Sequence, residues 1–279
     1  MKIVTAVVNN VDFIIIQYHT LKKYFKGNYE FIVFNDAKSY PDSTNFDDIS
    51  IKPKIESICN TLNIKCINIP NEHHKIKKGG SDRTADSMNF ILKYQIENPD
   101  KYLLIDSDMF LVNYFDIDRY TKYDCAIVLQ MRNDRKSYYM WNGIYYFDIV
   151  KMKNINLLNW DCSIGCDTGG MTQHWLKTQI NINNDNFQQV INSTQSEHIY
   201  FMKHHSSGNW NENDIPDELK TNTEFISFLK EDVRNKDGKF FCELYENVFL
   251  HYRAGSNWRR EGPQLHNSLT KSIKNVLLN

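Results

Sequence analysis

Residues 102–112 read YLLIDSDMFLV, so Asp106 and Asp108 stand one residue apart where an apolar run gives out. A carboxylate carried into apolar surroundings without a partner is costly. Two of them in this spacing suit a strand end that faces a metal, a solvated turn or a ligand. An Asp-x-Asp can hold a hard cation such as Mg²⁺ or Mn²⁺, its oxygens filling one arc of the coordination sphere and leaving positions open for phosphate oxygens. The same spacing also fits a turn in which Asp caps a helix or accepts backbone hydrogen bonds.

The elements around the pair narrow the choice. KIVTAVV (2–8) is short and β-branched, a helix-like stretch runs from there through Phe25, and EFIVFND (30–36) repeats the pattern of a strand with a polar end. IESICNTLN predicts a second helix, IKCINI a third strand, NEHHKIKKGGS a polar loop and RTADSMNFILKYQ a third helix, so Tyr102–Asp106 is the fourth strand. Such alternation predicts a Rossmann-like, mostly parallel central sheet flanked by helices, with ligands beyond the carboxyl ends of its strands. Asn9, Asp36 and Asp106 all fall at that end. Past Asp108, YDCAIVLQ and WNGIYYFDI read as strands, NWDCSIGCDTGGMTQHW as loop, FISFL and NVFLHY as short strands, and GPQLHNSLTKSIKNVLL as a closing amphipathic helix. This predicts a mixed, loop-rich C-terminal half. No repeat or linker divides the chain, so residues 1–279 are expected to form one domain, with a donor half to about residue 112 and an acceptor half from about 113.

Bulk properties exclude several classes. The formal net charge of -1 leaves no overall field to draw the chain onto nucleic acid or anionic lipid. Six cysteines without a C-x-x-C pair read as reduced thiols, and Cys162 and Cys166 lack the partners of a zinc site. The first residues carry one early Lys and an apolar run cut by Asn9, Asn10 and Asp12, and no later stretch approaches a membrane-spanning length. A soluble, cytoplasmic protein is expected. His73-His74 and His204-His205 are expected as exposed loop histidines. Trp141, Trp175, Trp210 and Trp258 are read as core residues or as stacking surfaces for sugar rings.

Four segments in order, RTADSMNFILKY, LLIDSDMFLV, WNGIYYFDI and FLHYRAGSNW, resemble the GT-A glycosyltransferases, and among them family 8, the glycogenin and lipopolysaccharide galactosyltransferase group. The resemblance implies a GT-A fold and transfer of a sugar from a nucleoside diphosphate donor, UDP-linked, to a hydroxyl of a glycan, glycoprotein or small acceptor. It implies that Asp106 contacts the metal or the ribose, that Asp108 ligates Mn²⁺ or Mg²⁺, and that His251 is the third protein ligand. Arg83 would sit near the diphosphate or donor sugar, and Asn9 and Asp36 would contact the nucleotide. An imidazole beside two carboxylates tilts such a site toward Mn²⁺. Asp108 is then expected to face a ligand cleft rather than the core, so that Asp108→Asn spares the fold. His251 read as a core histidine instead would matter for stability and little for metal affinity.

The family pattern of His, two residues, Gly, two residues and Lys-Pro-Trp departs here, with Gly255 one place later and Asn257-Trp258 at its end. Arg253, Arg259 or Arg260 would supply the charge of the absent Lys, a guanidinium suiting phosphate oxygens; the three also fit a solvated face. The family's Asn-Ser-Gly becomes Asn142-Gly143, and its Asp-Gln-Asp becomes Asp167-Thr168-Gly169. Asp167 would position donor hydroxyls, act as general base in an inverting enzyme, or cap the helix before MTQHWL. The motif order implies retention of configuration. Two other readings use the same residues. A haloacid-dehalogenase-type phosphatase also has a strand-end Asp-x-Asp with the first Asp as nucleophile, but near the start of its sheet and followed by Thr or Val where Phe110 stands. A non-catalytic carbohydrate-binding protein with a GT-A fold is the other.

Overall fold

The computed structural model describes residues 1–38, 49–70, 72–76, 79–132, 137–163, 165–180, 198–255 and 262–278. Strand β1 (Lys2–Val7) leads into α1 (Val11–Tyr24), which Asn10 caps by accepting the Asp12 N–H at 3.1 Å. Then come β2 (Phe25–Lys26), β3 (Glu30–Asn35), α2 (Ile51–Thr61), β4 (Lys65–Asn68), the single turn α3 (His73–Ile76), α4 (Gly80–Glu97) and β5 (Lys101–Ile105). Past the two aspartates lie β6 (Met109–Leu111), β7 (Phe115–Asp116), β8 (Cys125–Met131), β9 (Tyr138–Asp148), β10 (Ile199–Phe201), β11 (His204–His205), β12 (Glu243–Tyr245) and β13 (Phe249–His251).

The architecture is α/β, with a seven-stranded sheet in the order β10-β8-β9-β5-β1-β3-β4. β5, β1, β3 and β4 run parallel, and β9 is inserted antiparallel between β5 and β8. Helices cover both faces, which is why β1 and β5 read as apolar runs rather than alternating strands. One face buries Ile14 and Leu21 of α1 and Ile55 of α2 against Ile3, Val33, Leu103 and Ile105. The other buries Met88, Ile91 and Leu92 of α4, at helical spacing, against Val4, Ile32, Leu104 and Trp160.

A second sheet, β11-β12-β13-β6, is antiparallel. It packs on Phe13 and Ile16 from a further stripe of α1, on helix Thr223–Glu231 and on the C-terminal helix Pro263–Leu278. α1 therefore belongs to both cores and fixes one sheet against the other.

FISFL, expected as a strand, lies inside helix Thr223–Glu231. Asn222 accepts the Phe225 N–H at 2.9 Å, and Phe225, Phe228 and Leu229 are buried at spacings of three and four. The apolar run is too short to show that period unless its cap is read with it. Trp175 and Trp210 are core residues, and Trp258 lies outside the described residues. The six cysteines are free thiols.

Candidate functional site

The Asp-Ser-Asp turn is the joint between the two sheets. As β5 ends, the Asp106 N–H donates to the Gly143 carbonyl at 2.7 Å, and the Met109 N–H closes the turn on the Asp106 carbonyl at 3.0 Å. Gln17, buried on α1, donates its amide to both the Asp106 and the Met109 carbonyls, at 2.7 and 3.1 Å. Gln17→Leu should therefore destabilise the protein by about 1–3 kcal/mol, since the buried Met109 carbonyl loses this donor and the Asp106 carbonyl keeps only the Met109 N–H. Thermal denaturation measures that loss, and a metal titration of the same variant should show weaker binding as the turn loosens.

β6 continues from this turn and pairs with β13 so that Met109 lies opposite His251. Two backbone donors from the following segment lock Asp108: the Tyr252 N–H reaches its carbonyl at 2.8 Å and the Gly255 N–H its Oδ2 at 2.7 Å. Only glycine fits at 255, because a Cβ there would stand 2.6 Å from the Phe13 ring and 2.8 Å from Asp108 Cβ. His251 Nε2 comes to rest 3.1 Å from Asp108 Oδ1 and 3.9 Å from Asp106 Oδ2. The side chains of Asp108 and His251 are 6% and 7% exposed, whereas Asp106 is 37% exposed and faces the opening.

Glu243 is a member of this site that sequence reasoning missed. It lies directly opposite His251 in the β12–β13 pair, and its Oε2 is 2.9 Å from His251 Nδ1 and accepts the Tyr245 hydroxyl at 2.8 Å. A carboxylate on the far nitrogen fixes the imidazole's orientation and raises its basicity, the usual support of a metal-bound histidine. The hairpin signal was present in CELYENVFLHY, but only its second strand was read.

Burial opposes every charge in the cluster, and the partners decide the outcome. Burial would lower the His251 pKa, but Asp108 and Glu243 outweigh it and push it up to about 10. Burial would raise Asp108 and Glu243; the His251 ring overcomes this, holding Asp108 below its ordinary value and Glu243 down to about 2. Although its side chain reaches the opening, Asp106 is pushed up to about 7, first by the loss of water around it from the enclosing cleft walls and then by the Asp108 carboxylate. Without a cation the site is thus an imidazolium between carboxylates, with Asp106 the group that gives up its charge most readily.

The cluster opens into a cleft of about 740 Å³ beyond the carboxyl ends of β1, β3 and β5. Asp36, Arg83, Asp106, Asp108, Asp167, His251 and Arg253 all line it, so the structure brings together seven of the residues singled out from sequence. Asn9 follows the cleft-lining Val8 but is not among the lining residues, and Arg259 lies outside the described residues. Arg253 adopts a left-handed backbone with φ 67°, and its guanidinium donates to Ser207 Oγ at 2.9 Å. Asp167 does not cap the following helix, which begins after Thr172; its Oδ1 accepts the Thr168 N–H at 2.8 Å.

Trp141 forms one wall. Its indole lies where a side chain at position 143 would stand, a Cβ there falling 2.2 Å from the ring, and it stacks on Tyr245 at 4.8 Å, which stacks on His204 at 4.8 Å. His204 is therefore one end of a three-ring stack, not a plain loop residue.

The pair His73-His74, expected as exposed loop residues, is turned inward from α3, and both side chains are almost fully buried beside Asp36. Burial would raise the Asp36 carboxyl, yet the two imidazoles hold it below its ordinary value.

No protein-family model matches the chain, and neither does any curated protein. Among solved structures, the chain is similar to the galactosyltransferase LgtC in complex with donor and acceptor sugar analogs, at 13% identity over 76% of this chain and 75% of that one, with a TM-score of 0.41. Among the described residues, no helix is long and apolar enough to cross a membrane.

Proposed function

We propose that this chain is a metal-dependent glycosyltransferase of the GT-A kind that moves a sugar from a nucleoside diphosphate donor, UDP-linked, to a hydroxyl of a glycan, glycoprotein or small acceptor. The observation that supports this reading best is the convergence of Asp106, Asp108 and His251, from two distant segments of the chain, at a cleft beyond the carboxyl ends of parallel strands. Their donor atoms lie within 4.8 Å of one another. Two carboxylate oxygens and one imidazole nitrogen suit Mn²⁺ or Mg²⁺ and leave positions for phosphate oxygens. When bound, such a cation supplies positive charge opposite the departing diphosphate.

The chain's own groups do the rest. Glu243 holds His251 in place through Nδ1, so that Nε2 faces the two aspartates. Arg83 and Arg253 flank the cleft and are assigned to the diphosphate, and Asp36, with the backbone near Asn9, borders the nucleotide end. In the transfer, the bond from the sugar's anomeric carbon to the diphosphate oxygen breaks, a bond to the acceptor oxygen forms, and the acceptor hydroxyl gives up its proton. Asp167 is assigned to the sugar hydroxyls in a retaining reaction and to that proton in an inverting one, which proton NMR of the new linkage distinguishes. Residues to about 112 are assigned to the donor half and those from about 113 to the acceptor half together with the C-terminal metal and diphosphate segment, with Trp141 lining the cleft between them.

Assaying hydrolysis and transfer across several nucleotide sugars with Mn²⁺ tests the activity directly. Thermal shift tests the site: UDP at about 100 times its Kd should stabilise the protein by about 2.7 kcal/mol with Mn²⁺ present, a shift of roughly 5 °C or more. Equal stabilisation in excess chelator would refute the site.

Metal affinity should also depend on pH over a higher range than an ordinary imidazole gives. Both Asp106 and His251 hold protons more tightly than usual, so cation binding must displace them and affinity rises with pH. The expected slope is about tenfold per pH unit between pH 7 and 9, where one proton is released, and steeper below 7. Calorimetric Mn²⁺ titrations in buffers of different ionisation enthalpy count those protons.

A further inference from the structure

A second cluster on the same cleft wall has the chemistry of a transition-metal site. We infer that Asp36, His73 and His74 bind a zinc ion. His73 Nε2 lies 2.9 Å and His74 Nε2 3.2 Å from a single carboxylate oxygen, Asp36 Oδ1; His74 Nε2 also lies 2.9 Å from the Asp36 carbonyl oxygen, and the three side-chain donor atoms are within 4.8 Å of one another. Ligand atoms about 2.0–2.1 Å from a tetrahedral zinc stand about 3.3 Å apart, so these spacings are already close to the edges of that polyhedron.

Three further observations point to an ion. The His73 and His74 side chains are 7% and 4% exposed, and that of Asp36 is 4% exposed, so the cluster is dry on the protein side. His73 Nε2 sits 2.9 Å from Asp36 Oδ1 but is poorly aligned for a hydrogen bond to it, so the contact is one of charge and proximity rather than a well-formed bond. Asp36 is also held from behind, as the Ser87 hydroxyl of α4 donates to its Oδ2 at 2.7 Å, the kind of support that orients a ligating carboxylate.

Two imidazoles and one carboxylate favour zinc over the hard cations suited to the Asp106 cluster. Asp36 and His74 line the cleft, so an ion between them is reached from it and keeps a position for water or for an oxygen of the cleft's occupant. Such an ion would tie α3 to the end of β3 and, through Ser87, to α4. The site does not rest on the glycosyltransferase reading and stands if no transfer is ever found.

The test uses full-length protein carrying Asp106→Asn to weaken the first site, titrated with Co²⁺ and Zn²⁺. The expected result is an intense visible Co²⁺ band of low coordination number, and X-ray absorption of the zinc-loaded protein showing two imidazoles. His74→Gln added to this background should remove that band, and Ser87→Ala should weaken the affinity about tenfold or more while leaving all three ligands. An absorption spectrum fitted by one imidazole or none, or equal band intensity in His74→Gln and its parent, overturns the assignment. Should His74→Gln fail to fold, the imidazole count in the parent still decides.

Discussion

Asp108→Asn should lower sugar transfer by a factor of about 10²–10³ or more, the loss typical of removing one fixed electrostatic contact to a developing charge. It should also destabilise the metal-free protein, and there the structure departs from the sequence-based expectation that Asp108 only faces a ligand. Its Oδ1 neutralises a buried imidazolium at 3.1 Å, and its Oδ2 accepts the Gly255 N–H. Removing one partner of a buried pair costs about 3–5 kcal/mol, and the lower end applies because Glu243 remains on the other side of the ring.

Asp106→Asn should behave in the opposite way. Its folded-state pKa is raised, so the stability linked to this group is fully present below its unfolded value and is lost as pH rises through about 7. Removing the charge should leave the metal-free Tm at pH 8 equal to or above that of the wild type, while transfer still falls. Metal-free melting curves of both variants at pH 5 and pH 8, beside transfer rates with Mn²⁺, check the pair. A fall in apo stability for Asp106→Asn as large as that for Asp108→Asn would contradict the assigned roles.

His251→Ala carries the second large effect. Sequence reasoning sets two outcomes against each other: a ligand whose loss weakens metal binding, or a core histidine whose loss weakens the fold. The structure places His251 inside the protein with Asp108 and Glu243 on either side, so under the proposed function both losses are expected together. Truncation leaves two buried carboxylates facing a cavity, at a cost of about 3–5 kcal/mol or some 6–12 °C in Tm near neutral pH.

Because its folded pKa is raised, the stability from His251 is fully present below about pH 6.5 and is lost as pH rises through about 10. The Tm gap between wild type and variant should therefore narrow from pH 6 to pH 10. Mn²⁺ affinity should drop at least about a hundredfold, and Glu243→Gln, which keeps the ring but weakens its orientation, should lose about 10–100-fold. A variant with wild-type Mn²⁺ affinity would remove His251 from the site.

What was legible in the sequence follows from where information is local. The strands β1, β3, β4 and β5 and the helices α1, α2 and α4 are signalled by short apolar runs with polar ends or by helical spacing, so the order of the first half, and Asp36, Asp106 and Asp108 at its strand ends, could be read directly. Glu243 could not be, because its role comes from register across a hairpin rather than from its neighbours. The inward turn of His73 and His74 was hidden for the same reason: two adjacent polar residues look solvated until a buried Asp from a distant strand gives them a partner. Gln17 on α1 carries no motif at all; only the packing of α1 against the Asp-Ser-Asp turn shows why an amide stands where an apolar residue would otherwise fit.

The turn that joins the two sheets also imposes an order on synthesis. Asp106 and Asp108 leave the ribosome well before β13, already framed by β5 and by Gln17 of α1, and the Gly255 N–H that locks Asp108 is 147 residues further along the chain. Until β13 arrives, the nascent chain presents two neighbouring carboxylates with neither the imidazole nor the backbone donor that steadies them. Domains tend to consolidate from the amino-terminal side during translation. The cluster of Asp106, Asp108 and His251 can therefore close only after residue 255 has emerged, and a chain truncated anywhere before residue 251 carries the aspartates without their partner.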